Sequence, residues 1–264
     1  MLKMTLTHIV VLAFIVTFMS ANAAKAQLVT DGLISYWPLD QDTVQGKTVK
    51  DVWGEDDGTL AGNPKVEGGK VGGALKVGGG DSVDIPGTKS LNFAKKDAMT
   101  VMAWVNAGSD EPVQGVVAGC CGTIVAQRDA NGWALRYDGR NGGQEMEFIV
   151  QPGWQGDGGF GAPRFKKGEW HHLTGVVDRT KLLLYVDGEL LLEMPYAGPM
   201  VGDSSETEIG HAGDGGFVGL IDEVAIYSKA LSAKEVKQSF QAKGLAVAPA
   251  GKLATRWGEI KAFR

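Results

Sequence analysis

The clearest pattern of hydrophobic and polar positions lies between residues 170 and 192. Two apolar runs, 173–178 and 182–186, are separated by the polar residues 179–181, and the pair Asp187-Gly188 precedes a third apolar run. Asp tolerates the left-handed backbone conformation and Gly adopts it freely, so this pair is typical of a tight hairpin turn. The pattern predicts a meander of three antiparallel strands.

Short apolar or alternating runs bounded by turn residues recur along most of the chain. Residues 99–105 are apolar at both odd and even positions, which predicts a strand covered on both faces within a sandwich. The other runs of this kind are residues 33–40, 73–77, 81–85, 122–128, 132–138, 145–150, 207–211 and 217–227. The 39 glycines concentrate in the loops between such runs. We therefore expect an all-β sandwich.

One segment near the C-terminus is typical of a helix. Ser232 is a suitable N-cap, and Glu235 stands three residues later, where it completes a capping box. Val236 and Phe240 fall on one face of the expected helix, and Gly244 is placed to end it. The sequence thus predicts a single short helix after the last strand.

The N-terminal residues 1–26 are predicted to be a signal peptide. Lys3 precedes an apolar run that is too short to span a bilayer as a stable helix, and Ala24 and Ala26 suit a cleavage site. An N-terminal membrane anchor is the alternative. We expect one domain over residues 27–243, a tail over residues 244–264, and a location outside the cytoplasm: secreted, periplasmic or on the cell surface.

Charge limits the partners that this chain can bind. The sequence has 26 basic and 31 acidic residues, a formal charge of −5, and removal of Lys3 and Lys25 leaves 24 basic residues and a charge of −7. Nucleic acids and anionic membranes attract proteins through clustered Lys and Arg, and the chain has no such cluster. We expect no nucleic-acid partner, and no membrane partner once the signal is cleaved.

The two cysteines, Cys120 and Cys121, are adjacent. In an exported protein they allow a vicinal disulfide, pairing between molecules, or two reduced thiols. Adjacent cysteines close no chain loop, so a bond between them adds little stability through chain entropy.

Two loops carry candidate binding residues. Residues 51–57 combine the carboxylates of Asp51 and Asp57 with glycine, and such oxygen donors suit Ca²⁺, although a solvated acidic loop has the same composition. Residues 151–161, the aromatic loop, contain Trp154 and Phe160, whose flat faces can stack on sugar rings, while Asp157 or Gln155 can bind hydroxyls. A Trp154 folded back onto its own sheet is the alternative.

Several motifs, in order, make the chain resemble a laminin-G-like, concanavalin-A-like jelly roll of the bacterial secreted type. They are Gly32-Leu-Ile-Ser-Tyr-Trp-Pro-Leu-Asp40, Asp57-Gly-Thr-Leu60, Gly72-Gly-Ala-Leu75, Met99-Thr-Val-Met-Ala-Trp-Val105, Gly168-Glu-Trp-His-His172, Leu183-Leu-Tyr-Val-Asp-Gly188, Ile209-Gly210, Gly219-Leu-Ile-Asp-Glu-Val-Ala-Ile-Tyr227 and Ala230-Leu-Ser232. The resemblance implies a two-sheet antiparallel jelly-roll sandwich whose first strand neighbours its last. It also implies a structural calcium ion near residues 51–57 and Asp222, which makes Asp51, Asp57 and Asp222 the predicted metal ligands.

The same fold carries glucanases, which resemble one another in a Glu-x-Asp-x-x-Glu strand that supplies two carboxylates to one glycosidic bond. Glu145 and Glu147 begin such a run, but apolar residues 148–150 follow. His171 and His172 point to opposite faces of a strand and cannot serve one site together. We therefore predict no catalytic residues.

The sequence predicts a secreted, non-catalytic recognition module that binds an extracellular glycan or protein, with a structural calcium ion. The ligand-binding residues are predicted to be Trp154, Asp157 and Phe160. Two alternatives remain: a glycoside hydrolase of the concanavalin-A-like fold with an unrecognised active site, and a structural adhesion protein.

Overall fold

Two antiparallel β-sheets packed face to face form the fold, with one helix on an outer face. The computed structural model describes residues 26–108, 113–114, 120–127, 132–139, 145–158, 166–202 and 206–245. The predicted signal peptide and most of the predicted tail lie outside these residues and stay predictions. The predicted all-β, two-sheet sandwich with one short C-terminal helix is confirmed.

The strands follow one another closely along the chain. In chain order they are β1 (Leu33–Trp37), β2 (Val44–Gln45), β3 (Thr48–Val49), β4 (Gly58–Ala61), β5 (Lys65–Gly68), β6 (Gly73–Gly78), β7 (Ser82–Pro86), β8 (Ala98–Ala107), β9 (Val113–Gln114), β10 (Gly122–Ala126), β11 (Trp133–Asp138), β12 (Glu145–Val150), β13 (Trp170–Asp178), β14 (Lys181–Val186), β15 (Glu189–Pro195), β16 (Glu206–Ile209), β17 (His211–Ala212), β18 (Gly215–Gly216) and β19 (Val218–Tyr227). The helix α1 spans Ala233–Gln241.

The first sheet has the order β15-β14-β13-β8-β19-β6-β5, with β1 also paired to β19. The second sheet has the order β12-β11-β10-β16-β7-β4-β3-β2, and β17, β18 and β9 join it beside β10. In the pairing of β1 with β19, Trp37 is opposite Val224. The first strand therefore neighbours the last long strand, as the resemblance implied.

The predicted meander is formed by β13, β14 and β15. Leu173 is paired with Val186 across the first hairpin, and Asp187 and Gly188 form the second turn with positive φ angles of 52° and 79°. The Asp187 carboxylate also accepts a hydrogen bond from the backbone N–H of His172 at 2.9 Å. The turn thus has the left-handed backbone that the Asp-Gly pair predicts.

The central strand β8 is covered on both faces, as its apolar pattern predicts. Met99 and Val101 lie in the core between the sheets, whereas Trp104 points to the outer face of the first sheet. There its ring meets that of Phe240 from α1, with 5.4 Å between the ring centroids. The helix begins at the predicted capping box, in which Ser232 and Glu235 bond to each other's backbone N–H groups.

We predict that Gly175→Ala destabilises the sandwich. A Cβ atom at Gly175 in β13 would lie 2.5 Å from carbons of the Phe148 ring, which packs across from the second sheet. Overpacking of this kind costs about 1–3 kcal/mol, which urea unfolding would measure. Gly68→Ala in β5 is the control, because a Cβ there meets no atom within 4 Å. Equal stability of the two variants would contradict the prediction.

Candidate functional site

Arg136 occupies the outer face of the second sheet. Its neighbours in β11, Leu135 and Tyr137, enter the core, so the alternation of a strand directs Arg136 away from the core. The side chain is nevertheless only 2% exposed. Glu147 of β12 is its direct cross-strand partner, and both lie on the same face of the sheet.

Four carboxylates surround the Arg136 guanidinium group. Nε donates to Glu147 at 3.0 Å, Nη1 to Asp214 at 2.6 Å and Nη2 to Asp157 at 2.6 Å. Asp138 lies 3.9 Å from Nη2. We call these five residues the arginine cluster. Ligand atoms of Asp138, Glu147 and Asp157 all lie within 4.8 Å of one another, so among the described residues the carboxylates outnumber the single guanidinium group here.

Protonation relieves part of this excess negative charge. Burial raises the pKa of Glu147 to about 7, and the nearby Arg136 charge lowers it only in part. Both oxygens of the Glu147 carboxyl group have partners: one accepts from Arg136, and the other accepts from the backbone N–H of Gly158 at 2.5 Å. Glu147 therefore lies between its charged and neutral forms near neutral pH.

The arginine cluster fastens the aromatic loop to the sheet. Asp157 and Gly158 bond to Arg136 and Glu147 respectively, and Asp214 attaches the turn between β17 and β18 to the same guanidinium. The aromatic loop and the turn between β17 and β18 are thereby both attached to the outer face of the sheet at β11 and β12. Hydrogen bonds to charged groups are stronger than neutral ones, so these contacts set the position of the loop.

Trp154 lies on the same outer face as the arginine cluster. It is partly buried and packs on a floor of small and aliphatic side chains: Ala126, Ala134, Ile149 and Ala212. Its backbone is left-handed, with φ of 49°. The structure thus brings Trp154 and Asp157, two of the three predicted ligand-binding residues, to one surface. The third, Phe160, lies outside the described residues.

Residues 51–57, which we call the acidic loop, have a backbone that is organised by Asp51 and Asp57. Asp51 Oδ1 accepts from the N–H groups of Tyr36, Trp53 and Gly54, and its Oδ2 accepts from the N–H of Asp56. Asp57 accepts from the Asp51 N–H at 2.9 Å and pairs with Lys50 at 2.5 Å. Both carboxylates are thus occupied by donors of the loop and of the adjacent residues Tyr36 and Lys50.

Asp222 lies in a different environment. Its Oδ2 accepts from the backbone N–H groups of Lys70 and Val71 at 2.8 and 3.0 Å, and its Oδ1 is buried without a hydrogen-bond partner. Burial above all, with a contribution from the nearby Asp40 charge, raises the pKa of Asp222 to about 7. Asp40 bonds to the N–H of Gly73 in the same turn.

The predicted metal ligands are therefore not assembled as one set. Two groups of three close metal-ligand side chains occur among the described residues, and neither contains Asp51, Asp57 or Asp222. Asp222 points at the turn over residues 69–73 and lies near Asp40, whereas backbone N–H groups donate to both oxygens of Asp51. A calcium site formed by Asp51, Asp57 and Asp222 stays a prediction.

The paired histidines have packing roles. His172 is buried beside Trp104 and Phe240, at ring-centroid distances of 5.1 and 6.0 Å, and burial lowers its pKa to about 4. His171 Nδ1 lies 2.8 Å from the Asp187 carboxylate. The two rings are thus engaged in separate contacts of the meander.

Cys120 and Cys121 are both buried, and their sulfur atoms are in contact. A ligand atom of Asp138 lies within 4.8 Å of them, so the cysteines border the arginine cluster. The contact fits the vicinal disulfide that the sequence allows, and the bond itself stays a prediction.

The sequence did not indicate Arg136, Asp214 or Asp40 as site residues. A signal was present for Arg136, because Arg136 and Asp138 are charged residues at alternate positions of an otherwise apolar strand. Asp214, the partner of Arg136, comes from a hairpin far along the chain, so only the folded structure shows the contact.

A family model described as the concanavalin A-like lectin/glucanases superfamily matches residues 77–237. The chain belongs to this superfamily. The resemblance that the sequence motifs indicated is thereby confirmed, together with the jelly-roll class of the fold. A search of curated proteins returned no match. Within the part of this chain that the structure describes, no helix is long and apolar enough to cross a membrane.

Solved structures share the fold at low identity. One is domain 4 of AbnA, a GH43 extracellular arabinanase from Geobacillus stearothermophilus, in complex with arabinotriose. It is 21% identical with a TM-score of 0.61, and the match covers 78% of this chain and 97% of that chain. The binding domain of Paraclostridial Mosquitocidal Protein 1 is 17% identical, with TM-score 0.58 and 80% and 52% covered. Trypanosoma rangeli sialidase in complex with sialic acid is 20% identical, with TM-score 0.56 and 81% and 33% covered. The chain thus spans about half and about a third of the last two.

We predict that Glu147 makes the folded state less stable as pH rises. The folded protein holds the Glu147 proton up to pH of about 7, whereas the ordinary value is 4.5, so the stabilisation is complete below pH 4.5 and lost by about pH 7. Between pH 5 and pH 8, urea unfolding should show that the wild type loses on the order of 3 kcal/mol more stability than Glu147→Gln, in which Asp222 and Glu223 still titrate. An identical pH dependence in both proteins would contradict this.

Proposed function

We propose that this chain is an exported, non-catalytic module that binds an extracellular carbohydrate at the surface formed by Trp154 and Asp157. The observation that carries the proposal is the support beneath these residues. Trp154 rests on a floor of short side chains, and Asp157 is held by a buried guanidinium group. A site fixed in this way loses little conformational entropy when it binds a ligand.

The chemistry of this surface suits a sugar. An aromatic ring supplies an apolar face, and the Asp157 side chain on the same surface is 39% exposed. Sugar rings combine an apolar face with hydroxyl donors at the edge, so one aromatic and one acceptor group complement them. An extracellular protein is the alternative ligand, because aromatic residues also anchor protein interfaces.

Burial of Glu147 supports the absence of catalysis. A retaining glycosidase needs two carboxyl groups about 5–5.5 Å apart that both reach the glycosidic bond. Glu147 and Asp157 are close enough, with ligand atoms within 4.8 Å, but Glu147 is 0% exposed. Its two oxygens are also occupied by Arg136 and Gly158. Glu147 thus acts in the structure as a support for the loop.

Proteins with the same fold agree with a glycan ligand. The arabinanase domain was solved with arabinotriose, and the sialidase with sialic acid. The arabinanase is described as extracellular, which is compatible with the predicted export of this chain. These ligands differ from each other, so they support a carbohydrate class and no particular sugar.

We predict that Trp154→Ala weakens carbohydrate binding by about tenfold or more, because aromatic anchors contribute about 2 kcal/mol at binding sites. A glycan array followed by calorimetry on the tightest oligosaccharide measures the effect. Trp53→Ala is the matched control, since Trp53 is 37% exposed and belongs to the acidic loop. Release of reducing sugar from the same glycans, abolished by Asp157→Asn, would instead establish a hydrolase.

We also propose that a structural calcium ion is bound by Asp222 and Asp40. The buried Oδ1 of Asp222 has no hydrogen-bond partner, and a buried carboxylate oxygen left unsatisfied is destabilising. Asp40 is close enough for its charge to raise the pKa of Asp222. Calcium takes six to eight oxygens in flexible geometry, so these carboxylates fit it when carbonyl or water oxygens complete the set. The ion would fasten the turn at residues 69–73 to β19.

We predict that millimolar calcium raises the melting temperature by several degrees when it is added to protein from which a chelator has removed metal ions. An ion that binds only to the folded state stabilises that state. Asp222→Asn should remove this response. Asp57→Asn should keep it, because Asp57 is occupied by Lys50 and by a backbone N–H. If Asp57→Asn lost the calcium response and Asp222→Asn kept it, the acidic loop would be the metal site. A wild-type melting temperature that calcium leaves unchanged would exclude stabilisation by calcium.

A further inference from the structure

A cleft lies on the side of the sandwich next to the aromatic loop. It has a volume of about 570 Å³, and its walls come from three separate segments of the first sheet. Lys95 and Asp97 precede β8, Arg179 lies in the turn between β13 and β14, and residues 196–199 follow β15. We call it the cationic cleft.

Lys95 and Arg179 bring two positive charges to this cleft, against the single carboxylate of Asp97. Both side chains are exposed, and neither forms an ion pair within the described ranges. Elsewhere on the described surface, several lysines lie against carboxylates, namely Lys50, Lys76, Lys166, Lys181, Lys229 and Lys237. Two cations without an ion pair among the described residues thus line one concave space in a chain of net charge −5.

The backbone that presents these cations is held in place. Lys95 and Arg179 both have left-handed backbones, with φ of 64° and 53°. Their N–H groups donate to the carbonyls of Met200 and Asp97 at 2.8 and 2.7 Å, so hydrogen bonds cross-link the walls. Gly and Asn adopt this conformation more easily than Lys or Arg. The left-handed conformation therefore does not by itself select Lys or Arg at these positions.

The cleft is also joined to the aromatic loop. The Gln155 side chain donates to the Ala197 carbonyl at 3.0 Å and accepts from the Ala197 N–H at 2.8 Å. The Tyr196 hydroxyl donates to the Gln151 carbonyl at 2.7 Å. One wall of the cleft is therefore fastened directly to the segment that carries Trp154.

We propose that the cationic cleft binds the carboxylate or sulfate group of an acidic saccharide whose neighbouring sugar lies on Trp154. The proposal rests on the proposed carbohydrate function and adds the ligand class. Arg179 can bind a planar anionic group through two parallel hydrogen bonds, and Lys95 adds a compact positive charge. Asp97 supplies an acceptor for a sugar hydroxyl beside the anionic group.

Calorimetry with two acidic probes tests this inference: an oligogalacturonate, which carries carboxylates, and a heparin-derived oligosaccharide, which carries sulfates as well. The methyl-esterified oligogalacturonate is the neutral counterpart. Lys95→Asn and Arg179→Asn remove one charge each and keep a residue that tolerates the left-handed backbone. Lys47→Asn is the charge-matched control, since Lys47 is exposed at the turn between β2 and β3.

We expect at least one acidic probe to bind about tenfold or more tightly than the neutral one, and each cleft variant to lose about tenfold in affinity, because both contacts are charge-assisted. The control should bind as the wild type does, and added salt should weaken binding. The probe that binds distinguishes a carboxylated from a sulfated ligand. Melting temperatures equal to that of the wild type verify that the variants are folded.

Several outcomes would overturn the inference. Equal binding of acidic and neutral probes, unchanged affinity of both cleft variants, or equal losses in Lys47→Asn and the cleft variants would each do so. If Trp154→Ala abolished binding in those cases, the proposed carbohydrate function would stand without the cationic cleft. Absence of binding to every saccharide, including a glycan array, would overturn both proposals together.

Discussion

The burial of two sheet faces against each other determines where every other feature of this protein lies. The Phe148 ring lies so close to Gly175 that there is no room for a side chain at this position of β13. The Trp133 and Phe93 rings meet edge to face with centroids 6.4 Å apart. Close packing of this kind fixes the register of each strand, because a slip of one residue would turn core side chains outward.

The two outer faces are covered in different ways, and the difference places the candidate site. Helix α1 covers the first sheet through the contact of Phe240 with Trp104. On the second sheet, the charged arginine cluster holds loops over β11 and β12. A buried charge destabilises the fold unless ion pairs and hydrogen bonds compensate for the lost water. Arg136 and its carboxylates supply these contacts and form a rigid support. Binding residues attached to that support inherit its fixed position.

Buried carboxyl groups are a second property of this fold. Burial raises the pKa of Glu147 and Asp222 to about 7 and that of Glu223 to about 8. Tyr36 donates its hydroxyl hydrogen to Glu223, and backbone N–H groups serve the other two. Each of these groups is thus held by few donors in a space with little water. A proton or a cation is the means by which such a site becomes neutral.

The sequence alone determined the features that depend on neighbouring residues. Strand alternation, the Asp187-Gly188 turn and the capping box of Ser232 and Glu235 are local, so their patterns predicted the fold class and the helix. Tertiary structure decided the partners. Asp51 accepts from its own loop and from Tyr36 of β1, Asp222 lies near Asp40, and Arg136 bonds to Asp214. Contacts between distant segments follow from the strand order, and no regular spacing in the sequence predicts them.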